Sequence, residues 1–217
     1  MNTRRAFKLL DLYGGEGLAA WGYWRSGRFS EIVGVDINPD MKTRYSFDFV
    51  CADALTLDYE FLSQFDFIHA SPPCQAYSRI TPDRSKHMRL IAATHLMCHA
   101  SGLPYVIENV EGSGQELKPN LVMDGHWFGL PIERRRYFYV STLPKPLRLM
   151  RKMIGDHSAY IHGGGLRRAE VIEAMGLEMI SGERLKLLTL DGMEQGIPPA
   201  FTKFIAELVI QEKVYVA

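Results

Sequence analysis

The sequence predicts an α/β fold on a doubly wound, mostly parallel sheet, and three observations lead there. β-forming runs alternate with helical patterns through the first half of the chain, an order that builds parallel strands with helices on both faces. A glycine-rich turn, Tyr13-Gly14-Gly15-Glu16-Gly17, joins the first strand to the first helix, and a carboxylate, Asp36, closes the second strand. The 217 residues are 47% apolar and 23% charged, which is ordinary for a globular chain and enough for one substantial core.

Taken in order, residues 7–12 read as the first strand, 18–25 as a helix and 32–36 as the second strand. Strand, glycine turn, helix, strand is a βαβ unit, whose turn lies at the carboxyl edge of the sheet where ligands bind. Glycines there let the backbone approach a ligand closely. Asp36 is placed to accept from ribose hydroxyls, as acidic residues about 20 positions along commonly do. Gly15-x-Gly17-x-x-Ala20 also satisfies the loose dinucleotide fingerprint, so at this point a nicotinamide or flavin stays open beside other nucleoside cofactors. Residues 47–51 form a third strand running into Ala52-Asp53-Ala54. Asp53 either accepts from an adenine amino group at the same edge or caps the turn that follows; the sequence leaves both open.

Residues 65–69 are a short buried strand, and Pro72 and Pro73 stop it and hold the next segment extended. The loop Ala70-Ser71-Pro72-Pro73-Cys74-Gln75-Ala76-Tyr77-Ser78 thereby presents one thiol at a strand's carboxyl end. A lone cysteine is ordinarily a small buried hydrophobe; the two prolines before Cys74 and the polar Gln75 and Ser78 after it favour a displayed thiol. Residues 86–101 have helical spacing. His95 and His99 lie four apart within them, but no third ligand is near, and Cys51, Cys74 and Cys98 fit neither a CxxC site nor a paired framework. No metal is expected, and the cysteine usage points to a reducing cytoplasm.

Residues 105–110 form a strand with Glu108 and Asn109 at its carboxyl end. A buried glutamate there needs a partner or a polar ligand. In 129–140, three arginines run directly into an apolar strand, and period-two alternation puts Arg134 and Arg136 on one face. Residues 141–165 read as a loop with a basic surface. Helices are expected at 166–175, closed by Gly176, then at 187–195 and 200–211. No apolar run is long enough to span a membrane, and residues 1–8 have basic residues without the apolar core of a secretory leader. Net charge is zero, so any nucleic-acid binding must come from local patches.

With these pieces in order, the sequence resembles the cytosine-C5 DNA methyltransferases. Asp11-Leu12-Tyr13-Gly14-Gly15-Glu16-Gly17 is similar to their cofactor loop, Pro72-Pro73-Cys74-Gln75 to their catalytic Pro-Cys-Gln loop, and Glu108-Asn109-Val110 to their Glu-Asn-Val. Gly129-Leu130-Pro131 with Arg134 and Arg136 is similar to their Gly-Val-Pro-Gln-x-Arg-x-Arg segment, and Gly196-Ile197-Pro198-Pro199-Ala200 to their closing motif. The resemblance implies a Rossmann-like S-adenosylmethionine-dependent methyltransferase fold, with S-adenosyl-L-homocysteine as the product and no metal. It implies that Asp11, Tyr13, Gly15 and Gly17 bind the cofactor, together with Asp36, Ile37, Asp53, Ala54 and Pro72. It implies catalytic roles for Cys74, Glu108, Arg134 and Arg136, and substrate contacts for Gln75, Ser78 and Asn109.

The chemistry asks for these residue types. C5 of cytosine is a poor nucleophile, so a thiolate adding to C6 is needed to make the ring an enamine. An acid at N3 eases the addition, and a guanidinium at O2 stabilises developing charge. The target base is either flipped from a duplex or single-stranded. The expected partner is therefore DNA; some relatives have moved the same chemistry to RNA, and a non-catalytic binding module is the reading from another class. By the same resemblance, 1–140 is the catalytic and cofactor-binding domain, 141–165 a minimal recognition loop region, and 166–217 a helical segment completing the catalytic domain. Short versions of this kind are similar to proteins of bacteriophages, which implies a viral origin, a host-cytoplasm location, a link to restriction-modification and room for a partner that supplies specificity. Three departures stand out: Ala70-Ser71 replace the usual glycine pair before the prolines, Ile132 replaces the glutamine of Gln-x-Arg-x-Arg, and, largest of the three, only residues 141–165 stand where the family usually carries a separate target-recognition domain.

Overall fold

In the computed structural model, which describes residues 7–150 and 165–212, the first strand β1 (Phe7–Leu12) is the middle one of five adjacent parallel strands. The chain leaves it through α1 (Leu18–Arg25) to β2 (Phe29–Asp36) and then β3 (Asp48–Cys51), building outward on one side. It returns through α2 (Tyr59–Leu62) to β4 (Phe67–Ala70), on the other side of β1, and through α3 (Ile91–Ala100) to β5 (Tyr105–Asn109). All five strands are parallel. The direction of winding therefore reverses between β1 and β4, and their carboxyl ends flank the crevice where open α/β sheets bind ligands.

The remaining strands depart from simple alternation. After α4 (Gly114–Leu117) come β6 (Leu121–Met123), β7 (Arg136–Val140) and β8 (Leu147–Leu149), and the full order is β3-β2-β1-β4-β5-β7-β6-β8. β7 inserts between β5 and β6, antiparallel to both, while β8 pairs parallel with β6 at the edge. The doubly wound, mostly parallel sheet expected from the sequence is present. β8 lies in a stretch expected to be loop; its three residues carry too short a pattern to announce a strand. The rest of that stretch, with Arg151, Lys152, His157 and the glycine run Gly163-Gly164-Gly165, falls largely outside the described residues, which resume at Gly165.

Period-two alternation sorts the strand side chains into two cores. Leu9, Phe67, Val106 and Phe138 face the layer made by α1 and α8 (Pro199–Glu212), where Tyr23, Phe201 and Ile205 pack on them. Leu10, Ile68 and Ile107 face α3, with Ile91 and Cys98. Two amphipathic elements cross closely on the first face because Gly22 has no side chain: a Cβ there would collide with Pro199 and Thr202. The Thr202 hydroxyl instead donates to the Ala19 carbonyl at 2.7 Å.

A third cluster is built by α5 (Arg168–Met175), α6 (Gly182–Leu187) and α7 (Leu190–Gln195). Val171, Met175, Leu177 and Met193 pack there against Leu18 and Ile132. Gly176 ends α5 in the left-handed region at φ 65°, as its position after the helix predicts. Expected helix 187–195 is two pieces: α6 ends at Leu187 and Thr189 caps α7 by accepting from Gly192 N–H. Expected helix 86–101 begins only at Ile91, because residues 84–86 form a separate 3₁₀ turn capped by Asp83.

Candidate active site

The same alternation that builds the first core carries polar groups to its carboxyl-end rim. Asp11 follows Leu9 on β1, His69 follows Phe67 on β4, and Glu108 follows Val106 on β5, all pointing to the α1 side. Asp11 and His69 are partners in the β1–β4 register. Arg136 lies on the antiparallel β7, two residues before Phe138, which is opposite Glu108. The diagonal neighbour is within reach of a long side chain, and Arg136 Nε meets Glu108 Oε1 at 3.0 Å. Both side chains are more than nine-tenths buried. Removing either partner would leave an uncompensated buried charge at a cost of about 3–5 kcal/mol.

Asp11, Glu108 and Arg136 open onto a cavity of about 520 Å³ at the switch point, with His69 buried behind them. Cys74, Gln75, Glu108 and Arg136 line one end of it, and the loop 13–17 with Asp36 lines the other. The Cys74 loop is held by its backbone. Ser71 N–H donates to Leu12 O at 3.1 Å, and Tyr77 and Ser78 N–H groups both donate to Cys74 O at 2.9 Å. Asn109 spans the gap from β5, its amide donating to the Pro72 carbonyl at 2.8 Å. Farther along, Glu116 accepts from the Tyr77 hydroxyl and pairs with Arg89, whose guanidinium lies over the Tyr77 ring. Cys74 is half-buried.

Burial pushes the Glu108 carboxyl upward, opposed by Arg136 and Arg134 and by a hydrogen bond from Ser71. Burial also pushes the Cys74 thiol up, with the Glu108 charge adding to it and both arginines opposing. A protonated Glu108 thus makes the thiolate easier to form. The two titrations are coupled.

At the other end, Gly15 has φ +52° and a Cβ there would meet no atom of the chain within 4 Å, so its backbone faces open space. Tyr13 also has positive φ, 57°, and is pinned by a hydrogen bond between its hydroxyl and that of Thr94 at 2.9 Å. Asp36 accepts from Gly15 N–H at 3.0 Å and Asn38 N–H at 2.9 Å, one bond to each oxygen. Each carboxylate oxygen keeps a further lone pair. Asp11 is fully buried; the Tyr45 hydroxyl donates to its Oδ2 at 2.7 Å, while Oδ1 has no partner. Burial pushes the Asp11 carboxyl up to about 7. A buried, unpartnered carboxylate oxygen on a cavity wall suits a polar or cationic ligand group.

Of the residues expected on the cofactor side, Asp11, Tyr13, Gly15, Gly17, Asp36 and Pro72 line the cavity. Ile37, Asp53 and Ala54 do not; Ile37 is 70% exposed, and Asp53 caps the turn at residues 54–56 by accepting from Leu55 N–H, the bland alternative left open above. On the substrate side, Gln75 lines the cavity, whereas Ser78 and Asn109 act on the loop itself. Arg134, expected to be catalytic, spends its guanidinium elsewhere. It donates to the carbonyls of Glu194, at 2.6 Å, and Gly196, at 2.6 and 3.1 Å, and so ties β7 to the turn before α8. Ile132, lacking the family's glutamine amide, packs into the third core instead.

One cluster was not foreseen. Glu16, inside the glycine turn yet only 7% exposed, accepts from the Thr189 N–H and hydroxyl, each at 2.7 Å, and pairs with Arg44 at 3.3 Å. It fastens the cofactor-side loop to α7, 173 residues away in sequence. A charged residue between two glycines was the available signal, but its partner could be identified only in three dimensions. Among the described residues no group of three or more His, Cys, Asp or Glu is arranged to hold a metal, and no helix is long and apolar enough to cross a membrane.

Fold and cavity together place a loop cysteine beside a buried Glu–Arg pair on a Rossmann-like α/β sheet. Residues 7–112 match the family described as C-5 cytosine-specific DNA methylase. The match includes Cys74 and Glu108. Solved structures with the same fold include an Entamoeba histolytica methyltransferase, EhMeth, at 11% identity and TM-score 0.65, covering 96% of this chain and 99% of that one. They also include the Schizosaccharomyces pombe Dnmt2 methyltransferase, at 14% identity and TM-score 0.63, covering 97% and 100%. No curated protein matches the chain in sequence.

Proposed function

We propose that this protein methylates C5 of cytosine in DNA, using S-adenosylmethionine, through a covalent bond between Cys74 and C6. The observation that carries the reading is one cavity containing Cys74 and the Glu108–Arg136 pair at one end and the Gly15–Asp36 cradle at the other. Asp36 has lone pairs to spare for ribose hydroxyls, Gly15 offers open backbone, and Asp11 Oδ1 offers an unpartnered carboxylate oxygen for an ammonium; these features fit S-adenosylmethionine. When bound, that cofactor supplies an electrophilic methyl group.

Arg136 orients the cytosine ring at O2. Glu108, favoured in its acid form by burial, protonates N3 and withdraws electron density from C6. The Cys74 thiolate, stabilised by the two guanidiniums, adds to C6, which leaves C5 nucleophilic. After C5 is methylated, loss of its proton expels Cys74 and restores the ring. Arg134 serves this indirectly, by fixing the strand entry on which Arg136 sits. A base in a duplex cannot reach so enclosed a thiol, so the target is flipped out or unpaired.

The test is a trap. An oligonucleotide containing 5-fluorocytosine, incubated with protein and S-adenosylmethionine, should form a stable adduct because fluorine does not leave as a proton. Cys74→Ser should abolish it while cofactor binding persists. Parallel DNA and RNA oligonucleotides decide the substrate: adducts on RNA alone would overturn the assignment to DNA, and an adduct with the serine variant would place the nucleophile elsewhere.

A further inference from the structure

Behind Glu108 runs a line of buried polar groups. The Tyr23 hydroxyl of α1 is 3.0 Å from His69 Nδ1, and His69 Nε2 is 3.0 Å from the Ser71 hydroxyl. Ser71 and Glu108 share the cavity wall, and the Ser71 hydroxyl is among the groups that hold the Glu108 carboxyl down against burial. Tyr23 and His69 have no exposed surface, and Ser71 forms part of the cavity wall. We propose that Ser71 is a positioning residue for Glu108, its hydroxyl aimed by Tyr23 and His69, and that this line holds the Glu108 carboxyl in place for its exchange with N3 of cytosine. The proposal rests on the reading of Glu108 as the acid of a cytosine methyltransferase.

The direction of every bond follows from burial. Tyr23 is pushed well above its ordinary value and His69 is pushed down to about 3, so both are neutral. A neutral imidazole has one donor nitrogen and one acceptor. Among the described residues the Tyr23 hydroxyl has His69 Nδ1 as its side-chain partner, so its proton goes there. Nε2 then carries the ring proton and donates to Ser71 Oγ. The Ser71 proton is left for Glu108. The reverse direction would bury the phenol proton without an acceptor, at a cost of about 1–3 kcal/mol.

The line exists because strand alternation puts His69 and Glu108 on the α1 side, and Ser71 follows His69 by two. At that position the sequence resemblance implies a glycine, which has no donor to offer. The hydroxyl adds a third group to those facing Glu108: Arg136 and Arg134 from β7 and its approach, and Cys74 from the neighbouring loop. A donor to the charged form of a carboxylate favours that form, so the Ser71 hydroxyl opposes the effect of burial.

The experiment follows Glu108 itself and needs no turnover. Protein labelled with ¹³C at the glutamate carboxyl carbon is titrated by NMR, the Glu108 signal being the one absent from Glu108→Gln. Ser71→Ala should move its midpoint up by about one pH unit, the order of effect of one hydrogen bond donated to a carboxylate. Ser71→Thr keeps the hydroxyl and should titrate with the wild type, whereas Tyr23→Phe should shift the midpoint in the same direction by less. An unmoved midpoint in Ser71→Ala, or a threonine variant shifted as far as alanine, overturns the proposal. Trapping by 5-fluorocytosine is measured on the same proteins: a moved midpoint with no wild-type adduct would leave the line standing and sink the functional reading instead.

Discussion

Replacing Asp11 by Asn should stabilise the protein at neutral and alkaline pH while weakening its hold on S-adenosylmethionine. Burial raises Asp11 from 3.8 to about 7. A carboxyl raised on folding contributes stability that is complete below its unfolded value and is lost as pH rises to the folded one. The window is therefore about pH 4 to 7. At about 1.36 kcal/mol per unit, the span of roughly three units sets a ceiling near 4 kcal/mol, large against the roughly 5–15 kcal/mol of a whole domain. Asparagine does not ionise and keeps an oxygen for the Tyr45 hydroxyl. His69, pushed down to about 3, acts in the opposite sense, losing stability as pH falls below its ordinary 6.5, but it is common to both proteins and cancels in their difference. Urea unfolding of both at about pH 4.5, 6 and 8, without cofactor, should show Asp11→Asn gaining steadily on the wild type, and calorimetry should show weaker cofactor binding. A stability difference independent of pH would refute the argument, since it would mean that Asp11 ionises no differently in the folded chain.

Three further outcomes are expected. Asp36→Ala should weaken S-adenosylmethionine binding by about 1–3 kcal/mol, the scale of charge-assisted hydrogen bonds lost, whereas Glu108→Gln should leave that affinity unchanged and depress turnover; equal effects on affinity would show the two ends of the cavity to be misassigned. Gly192→Ala would drive a methyl into the Glu16 carboxylate, so it should lower stability by about 1–3 kcal/mol, as overpacking does, and raise the KM for the cofactor; a melting temperature and KM like the wild type's would mean that the α7 fastening carries no load. Arg79, Arg84, Lys145 and Arg148 are exposed, while Lys86 and Arg89 pair with Asp83 and Glu116. DNA affinity should fall linearly in a log–log salt plot, and Arg79→Ala with Arg84→Ala should each reduce the slope by up to about 0.9; an unchanged slope would place the phosphates elsewhere.

The first five strands, with α1 and α3, were legible because each writes its own local pattern, an apolar run bounded by turn residues or a 3.6-residue period, whereas the four residues of α2 were too few to be read. β1 and α1 have the bounds read from sequence, and Pro72-Pro73 stop β4 as their fixed backbone angles require. The chemical residues were legible for a related reason, since each lies at a strand's carboxyl end and that edge is where such sheets bind. What sequence did not contain was partnership across long separations. β6 and β8 are three residues each, and they are strands by pairing, β6 with β7 and β8 with β6. Arg136 and Arg134 were both expected to be catalytic, two apart on one face, yet one meets Glu108 and the other the carbonyls of Glu194 and Gly196. Glu16 read only as part of the glycine turn, and its contact with Thr189 of α7 is visible only in three dimensions. Sequence alone determined which groups face one side of the sheet, because the pleat repeats every two residues. Only the tertiary structure decided which of them share a hydrogen bond, because that depends on strand order and on ångström distances between segments far apart in the chain.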